Sequence, residues 1–238
     1  SISDIGFESL EYDIDINSNL NAEKIIVPLN HRKQLLGIDY LIMPKEFWVN
    51  NQNICCDKIF NVLITMGGID HYNFSSKLIE MLDFSDLNFD INIIIGPYYE
   101  NVNLIKEKVK MVKRKINLIF DPPSLYKYMI NSSVAFCAGG QTLYELLSLG
   151  IPTVGIALWK NQYGNIKQLS KFKAIKGILY REDSVFYENL DGIINELFHN
   201  KKIRKDLSNN GKKIVDGLGV NRVCKTLYTE FEKNEGKV

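Results

Sequence analysis

The sequence predicts an α/β fold, a Rossmann-like doubly wound parallel sheet, and three observations carry that prediction. From about residue 58 onward, short apolar runs alternate with helical patterns, the signature of βαβ units whose helices cover both faces of a parallel sheet. Several of these runs, such as "SSVAFC", are short, apolar and β-prone, as buried strands are. Glycines fall where strands end, and helical periodicity restarts after them.

Taken in order, "FNVLITMGG" is a strand ending in glycines and "NFSSKLIEML" a helix. "INIIIGP" is a strand and "NLIKEKVKMVKR" a helix, followed by the strand "INLIF" and the short helix "SLYKYMIN". "SVAFCA" and "TLYELLSL" form the next strand and helix, "TVGIAL" and "NIKQLSKF" the pair after that. "GILY" is a short strand, and from "SVFYENLDGIINELFH" onward the chain reads as mostly helical. The first 48 or so residues differ: "SISDI" and "IDIN" look like two strands, too little for a core. Residues 1–48 are therefore read as the tail of a preceding domain with its linker, "PKEFWVNNQNICCDK" continuing that linker, and 49–238 as the doubly wound domain. The chain starts at Ser1 and enters directly into "SISDIG", so part of a longer protein is expected to precede it.

Composition narrows the function classes. With 238 residues, 45% hydrophobic and 24% charged, the chain can bury a substantial core. Its 29 basic and 28 acidic residues leave no nucleic-acid footprint. The basic cluster "KEKVKMVKRK" carries Val109, Val112 and Ile116 at helical spacing, so it reads as the solvated side of an amphipathic helix. Cys55, Cys56, Cys137 and Cys224 fit neither a zinc spacing nor a secreted disulfide framework, which makes a reducing cytoplasm the expectation. No apolar run reaches membrane-spanning length, and no signal peptide is expected. Neither a metal nor a cofactor is expected.

The chemistry concentrates in "AGGQTLYELLSLGIP". Leu143, Leu146 and Leu147 recur at helical spacing, and Gly150 followed by Pro152 supplies a stop. Strand, tight glycine turn and helix together aim backbone N–H groups and the positive end of a helix dipole at one spot, a ready site for phosphate. In open parallel sheets ligands bind at the carboxyl ends of strands. Three polar segments sit at such ends: "MGGID" with Gly67, Gly68 and Asp70; "AGGQT" with Gly139, Gly140, Gln141 and Thr142; and "LWKNQYGN" with Asn161 and Gln162. Such a set suits a phosphate-bearing ligand.

Several of these residues have a plainer reading. Thr142 and Glu145 have the T-x-x-E spacing of a capping box. Asp70 could cap a helix beginning near Tyr72, or organise the loop that faces a sugar phosphate. Asn161 and Gln162 could form a turn, or offer amides to a ligand. His71 stays outside the candidate set, because an isolated loop histidine is ordinarily solvated, although imidazole chemistry would suit a base. "GLGVNR" follows no strand and is rejected as a dinucleotide motif.

The segments "GIDYLIMPKEF", "MGGIDHYNFSSKLIEML", "AGGQTLYELLSLGIPTVGIALWKNQYGNIKQL" and "VDGLGVNRV" together resemble the carboxyl-terminal part of the nucleotide-sugar hydrolases of pseudaminic acid biosynthesis and the related SpsG-type proteins of spore-coat polysaccharide biosynthesis. These are similar in turn to MurG-type glycosyltransferases of the GT-B fold. The resemblance covers nearly the whole chain and implies the nucleotide-sugar-binding half of a two-domain enzyme. That family's hydrolase releases UDP from a UDP-2,4-diacetamido-trideoxyhexose by attack of water. In it the acidic residue matching Glu145 binds ribose hydroxyls, and the match brings Asn161 and Gln162 towards the ligand. The family's glycine-rich loop and its histidine base lie in the amino-terminal domain. His31, His71 and His199 do not match that histidine, so no catalytic residue is assigned. A MurG-like glycosyltransferase and a non-catalytic binding module are the alternatives. The implied partners are a UDP-sugar and an amino-terminal domain of the same protein.

Overall fold

The alternation read from the sequence becomes, in the computed structural model, a six-stranded parallel sheet; the residues described are 14–20, 22, 33–48, 59–181 and 184–235. Its elements are β3 (Asn61–Thr65), α1 (Phe74–Asp83), β4 (Asp90–Ile95), α2 (Val102–Met111), β5 (Ile116–Phe120) and α3 (Tyr126–Met129). They continue with β6 (Val134–Ala138), α4 (Gln141–Leu149), β7 (Thr153–Ala157), α5 (Lys160–Lys171), β8 (Lys176–Leu179), α6 (Ser184–His199) and α7 (Lys201–Ile214). The strand order is β5-β4-β3-β6-β7-β8 with every neighbour parallel. The chain therefore builds outward from β3 in one direction, returns to β6, and builds outward in the other. β3 and β6 flank the switch point, where the loops leaving adjacent strands diverge and open a crevice. The register pairs Thr65 with Cys137, and Cys137 with Gly155, so these strands end at the same level.

Burial explains the continuous apolar runs. β6 and β7 are buried at every position, while the edge strands β5 and β8 are only partly covered. Val62, Ile64 and Phe136 of the sheet pack with Leu78 and Leu82 of α1 and with Leu190 and Leu197 of α6. A large side chain fully buried in this way stabilises the fold by about 1.5–3 kcal/mol. The expected helix stop is present: Gly150 is left-handed at φ 73°, and the Ile151 N–H reaches the Leu146 carbonyl at 3.0 Å. At the end of α6, buried Arg204 donates to the carbonyls of Leu197 and Phe198 at 2.8 and 2.9 Å.

The basic cluster is absorbed by this architecture. Ile105 of α2 is fully buried, Lys108 pairs with Glu80, and Lys110 pairs with Glu107 at 2.7 Å. Beyond the helix, Arg114 lies 3.8 Å from the Phe89 ring centre and donates to the carbonyls of Ser85 and Leu87, both at 2.9 Å.

The chain divides into two compact units, 52–213 and 1–51 with 214–238. In the second, β1 (Ile14–Asn17) and β2 (Lys33–Leu36) form a two-stranded parallel sheet, and α8 (Gly219–Glu235) completes it. Ile16, Leu35 and Val223 make its apolar cluster, Lys33 bonds Glu230 at 2.7 Å, and Arg222 donates to the Asp39 carbonyl at 3.1 Å. The sequence reading placed everything from residue 49 in one domain, whereas these contacts group the last helix with the amino-terminal segment. β2 was not anticipated: "KQLL" buries only Leu35, which leaves no period to read. A Cβ on Gly217 or Gly219 would run into the backbones of Phe47 and Leu41, so the "GLG" run serves close packing. The expected strand "SISDI", most of the linker, His31, Cys55 and Cys56 lie outside the described residues.

Candidate functional site

The loops leaving β3, β6 and β7 enclose a cleft of about 200 Å³, lined by Met66 to His71, Cys137, Ala138, Gly140, Thr142, Leu158, Trp159 and Gln162. It lies at the switch point of the sheet. Of the candidate residues, Gly67, Gly68, Asp70, Gly140, Thr142 and Gln162 line it; Gly139, Gln141, Glu145 and Asn161 do not.

The two glycine turns differ in kind. Gly67 adopts φ 81°, which only glycine tolerates without strain. Gly139 is buried, and a Cβ there would meet Gln162 Cβ at 3.0 Å and Ile166 Cγ1 at 3.1 Å, so its role is to let α5 approach β6. Gly140 has nothing within 4 Å of such a Cβ and occupies the N-cap of α4 in extended backbone.

Three helices begin at this cleft, and the amino ends of α1 and α4 are treated differently. Asp70, left-handed at φ 46° and 5% exposed, accepts the Phe74 N–H on Oδ1 at 2.7 Å and the Ser75 N–H on Oδ2 at 2.9 Å. Its carboxylate thus occupies the positive end of α1, the place an anion would take. Burial raises the Asp70 pKa above its ordinary value, against the opposite pull of the Ser75 and Phe74 hydrogen bonds. At α4 no side chain caps the amino end. The capping-box alternative for Thr142 and Glu145 does not hold, because Gly140 is the N-cap and Thr142 already stands in the first turn. Glu145 follows one turn after Gln141, is half-buried, and sits close enough to Cys137 for its charge to add to burial in pushing that thiol's pKa up.

The third segment starts a helix where a loop was expected. α5 begins at Lys160, so Asn161 and Gln162 lie in its first turn. The Gln162 side-chain oxygen accepts the N–H groups of Leu158 at 2.9 Å and Trp159 at 3.3 Å and so locks the β7–α5 turn, while Asn161 is exposed.

An aromatic wall completes the cleft. The Trp159 ring lies 5.5 Å from His71 and 5.6 Å from Tyr72, and Tyr72 lies 4.7 Å from Tyr180, which continues into the core against Phe74. The sequence reading missed Trp159 and set His71 aside. A large aromatic at the end of a buried strand was the available signal. Among the described residues no group of His, Cys, Asp and Glu could hold a metal ion. No helix there is long and apolar enough to cross a membrane.

Comparison with known structures identifies the fold. The chain aligns with MurG of Acinetobacter baumannii at a TM-score of 0.62 and 16% identity, over 87% of this chain and 58% of that one. It also aligns with the pneumococcal O-GlcNAc transferase GtfA, solved in complex with UDP and GlcNAc, at a TM-score of 0.58 and 14% identity, over 93% of this chain and 45% of that one. The fold is GT-B-type. In sequence, the chain is 32% identical over 155 residues to an uncharacterized protein of Methanocaldococcus jannaschii, covering 62% of this chain and 31% of the relative. It is 22% identical over 206 residues to the spore coat polysaccharide biosynthesis protein SpsG of Bacillus subtilis, covering 83% of this chain and 58% of that protein. The chain thus spans about a third and somewhat over half of these two relatives' lengths. No protein-family profile matches it.

Proposed function

We propose that this chain is the nucleotide-sugar-binding half of a GT-B-type hydrolase of surface polysaccharide or nonulosonic acid biosynthesis. Its ligand is a UDP-sugar of the 2,4-diacetamido-trideoxyhexose class, and UDP is the product released. The observation that carries this reading is the uncapped amino end of α4, opening beside the Gly67–Gly68 turn at the switch point of a GT-B-type sheet. There the diphosphate meets backbone N–H groups and the helix dipole, and the family resemblance supplies the sugar class. Glu145 takes the ribose hydroxyls, and Gln162, its oxygen already engaged, offers its Nε2 to the ligand. The cellular setting is the cytoplasm.

A cleft of about 200 Å³ suits the phosphates and one ring, less than a whole nucleotide sugar. We therefore include an amino-terminal domain of the same protein in the proposal. The unit of β1, β2 and α8 supports this, because the two-stranded sheet described there is marginal alone. Its likeness to the transferase solved with UDP and GlcNAc keeps glycosyl transfer as the second reading.

UDP at a hundred times its dissociation constant is expected to stabilise the folded chain by about 2.7 kcal/mol, seen as a rise in Tm. No shift at millimolar UDP, in a folded sample, would refute nucleotide binding. In the full-length protein, UDP release from a UDP-sugar in water alone supports the hydrolase, and release that requires an acceptor supports the transferase. Glu145→Gln is expected to lower UDP affinity with stability nearly unchanged, because it removes the charge and keeps the shape. A loss of stability with unchanged affinity would give Glu145 a purely structural role.

A further inference from the structure

The diphosphate of a nucleotide sugar is fully ionised throughout the range from pH 5 to pH 8, so the cleft must balance its charge. Among the described residues that line the cleft there is neither Lys nor Arg, and His71 is the one whose side chain can carry a positive charge. His71 is exposed, packs edge-on to Tyr72 at 5.1 Å, and lies beside Trp159 at the cleft wall. No ion pair joins it to its neighbour Asp70, whose carboxylate instead accepts the Phe74 and Ser75 N–H groups at the start of α1. Its ring is therefore available for an anion entering the cleft.

We infer that binding of the nucleotide sugar takes up a proton on His71, whose imidazolium adds a positive charge at the cleft wall. This rests on the reading of the cleft as a nucleotide-sugar site. The protonated ring donates a charge-assisted hydrogen bond to the diphosphate, and the bound anion holds the proton on the ring more tightly than solvent does. Binding then tightens as pH falls through the imidazole range. Other titratable groups stand on the surrounding elements: Asp70 and Tyr72 on the same loop, Cys137 at the end of β6, Glu145 on α4, and Lys160 at the start of α5. Cys137 stays a neutral thiol because burial pushes its pKa up. Asp70, its pKa raised by burial, is the competing source of a pH effect.

The probe is UDP-N-acetylglucosamine, which has no phosphate proton to exchange between pH 5.5 and 8.5. Titration calorimetry across that range, in buffers of different ionisation heat, should show net proton uptake and affinity about tenfold higher at the acidic end, the lower end of what a hydrogen bond to a charged group contributes. His71→Gln should bind with the weaker, alkaline-end affinity at every pH, His71→Lys should bind tightly at every pH, and Asp70→Asn should keep the wild-type slope. A slope that survives in His71→Gln, or wild-type binding that is flat with pH, overturns the inference and leaves the nucleotide-sugar reading standing. No binding of this probe or of UDP at any pH overturns both.

Discussion

Gly140→Asp is expected to weaken UDP-sugar binding by at least about a hundredfold while leaving the fold as stable as before, or slightly more so. The stability half follows from geometry. Gly140 is the N-cap of α4 in extended backbone that any residue adopts, and a Cβ there meets nothing within 4 Å. Aspartate is a favoured N-cap, better than glycine by a few tenths of a kcal/mol. The binding half follows from charge. A carboxylate at that position would accept the first N–H groups of α4, as the Asp70 carboxylate already does at α1, and would stand where we propose that the diphosphate binds. Two like charges about 4 Å apart near a protein surface repel by about 4 kcal/mol, more than a hundredfold in affinity. Denaturation and ligand titration on the same sample test both halves. Undiminished affinity in a folded variant would show that the anion does not bind at the amino end of α4.

Gly96→Ala is expected to cost about 1–3 kcal/mol of stability, the range for forcing an extra methyl into a packed interior, and to lower ligand affinity at the same time. Gly96 follows β4, and a Cβ there would lie 2.5 Å from both Cα and O of Gly68 and 2.7 Å from the Gly67 carbonyl oxygen. All three atoms are backbone, so no side-chain rotation relieves the clash. The Tyr98 N–H further ties this segment to the Gly68 carbonyl at 3.0 Å. The methyl must therefore displace the Gly67–Gly68 turn, which is one wall of the cleft. Gly68→Ala is the control: its Cβ meets only Tyr98 Cδ2, at 3.8 Å, and that variant should unfold within about 1 kcal/mol of wild type. Equal stability of Gly96→Ala and wild type in urea titrations would refute the close approach.

These two glycines show how differently parts of the site could be read. The strand-turn-helix at 134–149 is encoded locally, by an apolar run, two glycines and a leucine period, and it forms where those residues stand. Gly96 carries no such mark, because what makes it indispensable is a turn some thirty residues earlier in the chain. Asn161 and Gln162 were recognised as polar residues at a strand end, yet the helix that contains them could not be seen there. Gln162 starts that helix by bonding the N–H groups just behind it, a cap without the usual Ser, Thr, Asp or Asn.

The fold itself was written in the chain. Periods of hydrophobicity are local properties and parallel strands joined by helices have few allowed connections, whereas the order β5-β4-β3-β6-β7-β8, one of several those rules permit, came from the tertiary structure. The glycine turns and polar residues at the carboxyl ends of β3, β6 and β7 were legible for the same reason, and six of them line the cleft. Contacts between residues far apart in the chain were not: Trp159 against His71, Gly96 against Gly68, and α8 joined to β1 and β2 through Val223, Ile16 and Leu35. Such contacts depend on which loops and helices meet after packing, and no spacing along the chain encodes a distance through space.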